Sequence, residues 1–119
     1  MDTMSTAVDS PVTATYPPQM LTIVESSTFK MWFAALRDRG ARARIAVRIR
    51  RLSIGNPGDA KPVGDGISEM RIDHGPSYRV YFVRRGALLA ILLCGGDKSA
   101  QVSDIVKAKR IAQDWESDQ

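Results

Sequence analysis

Five residues between Glu69 and Tyr81, with one lysine further on, carry the side chains best suited to chemistry in this chain. Glu69 and Arg71 are two apart, as are Arg79 and Tyr81, and His74-Gly75-Pro76 between them reads as a turn. If Met70, Ile72, Val80 and Phe82 point into a core, then Glu69, Arg71, Arg79 and Tyr81 share the opposite, outward face. A turn centred near Gly75 sets Arg71 across from Arg79, and Glu69 across from Tyr81. Two opposed arginines repel and cost stability. The arrangement makes sense where a phosphate sits between them, held by two guanidinium forks. The same four residues also suit a solvated ladder in which Glu69 neutralises one arginine, and spacing does not choose between the two. Lys98 is a third cation, just after Gly95-Gly96 and just before a helix whose free N–H groups and dipole favour an anion. It meets Arg79 only if the strand holding Leu93 lies beside the strand holding Arg79, which the short Arg85-Gly86 turn implies. His74 is a surface turn residue or a proton carrier.

The elements that position these groups follow from apolar period. Leu21 to Val24 is a short strand. Ser26 or Ser27 caps a helix in which Phe29, Trp32, Phe33 and Leu36 fall on one face, and Gly40 suits the position just past its end. A second helix runs from about Ala41 to Ser53, with Ala41, Ile45, Ile49 and Leu52 as its apolar stripe; the short link makes an αα-hairpin. Arg42, Arg44, Arg48, Arg50 and Arg51 crowd its other faces, as a phosphate-tracking stripe or as a solvated surface. Gly55 to Gly58 and Lys61 to Gly66 read as loop. The period then becomes two in Ile67 to Asp73 and Ser77 to Arg84, and Ala87 to Cys94 is an apolar run suited to a strand covered on both faces. Ser99 caps a last helix with Val102, Ile105, Ala108, Ala112 and Trp115 on its apolar side. The expected fold is α+β in the order β-α-α-β-β-β-α: a small twisted, mostly antiparallel sheet, an N-terminal helical hairpin and a C-terminal helix.

The chain has 119 residues, enough for one core. Residues 21–113 hold all 17 of the Lys and Arg but only eight of the 13 acids, an excess of nine positive charges. Such an excess points to a polyanionic partner, most commonly nucleic acid. Residues 1–20, with Pro11, Pro17 and Pro18 and no apolar period, read as a disordered or loosely attached extension, leaving 21–119 as the domain. They have neither the basic nor the apolar region of a secretory signal. Ala87 to Cys94 is too short to span a bilayer, so a reduced cytoplasmic setting is expected. Cys94 and His74 are each single, which excludes a disulfide framework and zinc spacing; no cofactor loop or paired-carboxylate site appears. Cys94 itself reads as a small buried hydrophobe.

Three stretches resemble a known family when taken in order. They are Glu69-Met70-Arg71, Gly75-Pro76-Ser77-Tyr78-Arg79-Val80-Tyr81-Phe82, and Leu92-Leu93-Cys94-Gly95-Gly96-Asp97-Lys98-Ser99-Ala100-Gln101 with Asp104-Ile105. Together they are similar to the phage-derived addiction-module killer branch of the RelE/ParE superfamily, close to the HigB-like toxins. The resemblance implies the toxin of a toxin–antitoxin pair: an endoribonuclease, metal-free and cofactor-free, that cuts mRNA on the ribosome. In such toxins the RNA's own 2′-OH attacks the adjacent phosphate. Arg79 falls on the strand arginine that contacts that phosphate, Lys98 near the basic residue after the last strand, and Arg71 near the basic pair of the preceding strand. Glu69 and His74 are the candidates for general base. Arg42, Arg44, Arg48, Arg51, Lys61 and Tyr81 are expected to bind RNA. The implied partner is a helix-turn-helix antitoxin. Departures are Asp104, in the region where RelE itself carries a tyrosine, and Glu69, roughly where RelE has the second lysine of a strand pair. The rival readings are a ParE-like inhibitor of DNA gyrase and an inactive nucleic-acid-binding phage accessory protein.

Overall fold

The computed structural model describes residues 20–117. The extension expected over residues 1–20 lies, Met20 apart, outside the described residues. The elements are β1 (Thr22–Glu25), α1 (Ser27–Ala35), α2 (Arg39–Ser53), β2 (Ala60–Gly64), β3 (Ile67–Ile72), β4 (Tyr78–Arg85), β5 (Leu89–Asp97) and, after a 3₁₀ turn at Lys98–Ala100, α3 (Gln101–Ser117). One five-stranded mixed sheet runs β1-β5-β4-β3-β2. Its first pair is parallel, with Thr22 beside Leu89 and Glu25 beside Leu92. The rest is antiparallel.

This architecture overturns the expected β-α-α-β-β-β-α layout. Lys61 to Gly64 is not loop but part of an added edge strand, β2. Pro62 is tolerated there because an edge strand has one side with no partner to receive its missing N–H. Asp65 and Gly66 both have positive φ, 56° and 78°, and close a two-residue hairpin from β2 into β3. The two early helices are not a hairpin packed on itself either. α1 makes its contacts with β5 and α2 with β3, so each lies on the sheet.

Capping explains the helix limits. Ser26 is buried, and its Oγ accepts from Phe29 N at 3.0 Å while donating to Leu93 O at 2.6 Å. That one hydroxyl starts α1 and ties it to β5. Asp38 starts α2 by accepting from Ala41 N at 3.1 Å, which puts Gly40 inside the first turn of α2 rather than past the end of α1. β5 also runs further than expected, through Gly95 and Gly96 to Asp97. Asp97, not Ser99, is the cap, accepting from Ser99 N at 2.9 Å.

Both faces of the sheet are covered. Phe29, Ile45 and Leu52 from α1 and α2 pack with Met70, Ile72, Val80, Phe82, Ala90 and Leu92 on one side. Ala108 and Ala112 of α3 pack with Ile67, Tyr81, Val83, Ile91, Leu93 and Cys94 on the other. Val102, expected on the buried side of the last helix, is instead 81% exposed. A register shift on β5 leaves Leu93 as an extra residue between the Tyr81–Cys94 and Phe82–Leu92 pairs. Beyond it Gly95 and Gly96 receive the helices at close range. A side chain at Gly95 would run into the Trp32 ring, and one at Gly96 into the Asp104 carboxylate.

Candidate functional site

The hairpin register sets Arg71 opposite Arg79 and Glu69 opposite Tyr81. The face they share is not open, however. α3 covers it, so Glu69 and Tyr81 are fully buried and Arg79 is 5% exposed. Tyr81, expected as an RNA-binding group on an outward face, is therefore a core residue. Its hydroxyl donates to Glu69 Oε2 at 3.1 Å. Burial, then the Glu69 charge, holds that phenol well above its usual range.

Glu69 is the hub of a buried polar cluster. Besides Tyr81, its Oε2 accepts from Gln101 Nε2 at 2.8 Å. Arg79 Nε lies 3.6 Å from the same oxygen, an ion pair with both side chains almost wholly out of water. A carboxylate so enclosed orients Arg79 from beneath, and Gln101 fastens the first turn of α3 to the same point. Arg79 Nη1 then donates to Ser77 O at 3.0 Å. Ser77 has a φ of 67°, an uncommon left-handed conformation for a residue other than glycine.

Above this cluster opens a cleft of about 380 Å³ lined by Asp59, Arg71, Asp73, Ser77, Arg79 and Lys98. The three cations come from β3, β4 and the turn after β5. Arg71 is steadied by Asp59, with Nη2 3.2 Å from Oδ1. Lys98 is exposed. Asp97 beside it has its carboxyl lowered by the Ser99 hydroxyl and then the Ser99 amide. Asp59, Asp73, Ser77 and Gln101 are not among the site residues expected from the sequence, although Ser77 and Gln101 lie within the stretches that carry the resemblance.

The other expected site residues lie elsewhere. Glu69 is sealed below the cleft rather than lining it. His74 stands aside, with Nε2 3.1 Å from Asp38 Oδ2, where it supports the α2 cap. Asp38's carboxyl is lowered by the Ala41 amide first and by His74 second. Arg48 clamps backbone, donating to Arg71 O at 2.5 Å, Pro57 O at 2.9 Å and Asp59 O at 3.2 Å. Arg44 and Arg51 are exposed along a second depression beside α2, Arg42 is half-buried on the same helix, and Lys61 is exposed on β2 opposite Glu69.

Two buried groups flank the cluster on the α3 side. Asp104 sits over Gly96, the strand partner of Arg79, and its Oδ2 is buried without a hydrogen bond. Loss of water raises its carboxyl, against the pull of Lys107, whose Nζ is 3.9 Å from Oδ1. Cys94 donates to Asp104 O at 3.5 Å, and burial pushes its thiol up to about 12, so it is not a nucleophile in this setting. Among the described residues no group of three or more His, Cys, Asp or Glu is arranged to hold a metal, and no helix is long and apolar enough to cross a membrane.

Residues 31–114, which include every residue of the cleft, match the family model described as "Phage derived protein Gp49-like". An uncharacterised protein of Haemophilus influenzae (strain Rd) is 53% identical over 87 residues, 73% of this chain and 88% of the relative.

Proposed function

Since the chain belongs to the Gp49-like phage-derived protein family, a toxin-like family of the addiction-module type, we propose that it is the toxin of such a module and cleaves mRNA on the ribosome. One observation carries this: Arg71, Arg79 and Lys98 converge from three separate elements on one cleft. A site with three converging cations suits a substrate that brings its own nucleophile. The RNA 2′-oxygen attacks the adjacent phosphorus as its proton passes to solvent water, the bond to the 5′-oxygen breaks, and that oxygen takes up a proton. A 2′,3′-cyclic phosphate and a 5′-hydroxyl result. The added negative charge of the phosphorane is what the two guanidinium groups offset. Lys98 is the donor nearest solvent and protonates the leaving oxygen. The likeness to RelE/ParE toxins belongs to this same proposal.

The test is primer extension on translating ribosomes exposed to the purified protein. Discrete cuts with the wild type, absent with Lys98→Ala, are expected. Uncut message together with inhibited supercoiling by DNA gyrase would overturn the reading. On the same proposal the partner is a small helix-turn-helix antitoxin whose acidic or amphipathic segment meets this basic surface. Co-purification with the product of the adjoining reading frame checks it.

A further inference from the structure

The cleft does not end at its own cations. Asp73, which lines it, also lines a neighbouring groove of about 450 Å³ formed with Ala43, Arg44, Val47, Arg48, Arg51 and Ile72. We propose that this groove is a nucleobase subsite, seating the base of a nucleotide next to the one whose phosphate occupies the cleft. The inference rests on the nucleic-acid reading of the cleft and extends it to a particular part of the strand.

The groove's chemistry is that of a base between two phosphates. Ala43 and Val47 present apolar surface from successive turns of α2, with Ile72 of β3 behind them. Val47 is 49% exposed, with Arg44 three residues before it and Arg51 four after it on the helix. Flat base faces pack against apolar side chains of this kind. Arg44 and Arg51 lie seven residues apart, two helical turns, or about 10.5 Å along the axis, a spacing that lets them contact the phosphates on either side of one nucleotide. Arg48 lines the groove with its guanidinium held by three carbonyls, so its position is set before anything binds.

Asp73 at the junction selects among polyanions. Its carboxylate is exposed and repels a phosphate or a glutamate side chain, yet accepts hydrogen bonds from base amino groups. An RNA strand can turn a base toward it; a run of acidic side chains has no donor to offer. Adenine, cytosine and guanine carry such an amino group, whereas uracil offers only its ring N3–H, so the subsite favours the amino-bearing bases.

Chemical-shift mapping on the labelled full chain tests this without any cleavage. The probes are inorganic phosphate, a trinucleotide with 2′-O-methyl riboses, and a glutamate-rich peptide. Phosphate should move the amides of Arg71, Arg79 and Lys98 but not those of Ala43 and Val47, and the trinucleotide all five. Val47→Asp, a surface change that leaves the core alone, should weaken the trinucleotide about tenfold and leave phosphate affinity unchanged. Asp73→Ala, which removes the acceptor, should erase a preference of roughly fivefold or more for an amino-bearing base over uracil. Trinucleotide shifts that stop at the cleft, no trinucleotide binding, or a groove taken by the peptide in preference would each overturn the subsite. A strand seated in the groove by a protein that never cuts ribosomal message would instead keep the subsite and remove the nuclease.

Discussion

Arg79 and Lys98 differ in a way that decides how each can be tested. Lys98 stands in water, so Lys98→Ala should keep the melting temperature and lower cleavage about 10²–10³-fold, the usual cost of one lost transition-state donor. Arg79 is paired with a buried carboxylate. Arg79→Ala strands Glu69 and should cost about 3 kcal/mol of stability in denaturant titration. Its loss of activity therefore says little by itself, and Arg79→Lys, which keeps a charge over Glu69, is the better probe. Asp104 gives a prediction in pH. Its carboxyl is raised by burial, so the folded state holds that proton more readily than the unfolded chain, and ionising it removes stability as pH climbs above the ordinary carboxylate value. Asp104→Asn should melt higher than the wild type at pH 7, with the gap narrowing as pH falls toward that value; a gap that widens on acidification would contradict this. The hairpin register, Arg71 against Arg79 and Glu69 against Tyr81, was legible from two-residue alternation and one turn. Burial of that face was not, because a polar cluster beneath a helix and a polar face in water leave the same alternating pattern.

The elements are fastened at a few close contacts, and those contacts are where sequence reading was weakest. Asp65-Gly66 is a strong hairpin signal, but Pro62 and Gly64 before it have loop composition, and the edge strand was lost between the two cues. Gly95 and Gly96 read as a turn because glycine is common in turns. Here they sit inside β5, because Trp32 and Asp104 occupy the space of a side chain. Gly95→Ala should displace Trp32 and destabilise by about 1–3 kcal/mol. Gly96→Ala should press instead on the start of α3, loosening Gln101 from Glu69, and lower activity beyond its effect on melting. Ser26→Ala removes both the α1 cap and the bond to Leu93 O, for a loss of about 1–2 kcal/mol in thermal unfolding. A conserved melting temperature in Ser26→Ala would mean that α1 is held by its aromatic packing alone.

At the scale of the whole molecule, charge and topology act together. The positive excess was plain from composition. What composition could not convey is that one of the α2 arginines, Arg48, is taken up by backbone carbonyls while Arg44 and Arg51 remain outward. Arg44→Ala and Arg51→Ala should weaken association with ribosomes and flatten its salt dependence, read as a smaller slope of log affinity against log salt. Cleavage in EDTA, with ribosome integrity maintained, should match the untreated rate, since the proposed chemistry runs through guanidinium and ammonium groups. Topology has a consequence in time. β1 is made early but pairs only with Leu89 to Leu92, and Ser26 waits for Leu93. The sheet's order puts β5 between β1 and β4, so β1 stays unpaired and apart from the β2-β3-β4 meander until β5 has left the ribosome, and Lys98 follows later still. Folding is accordingly non-local and slow in type. A nascent chain of this protein has no assembled cleft until Lys98 has been made, and on the proposed function the ribosome that makes it is spared until then.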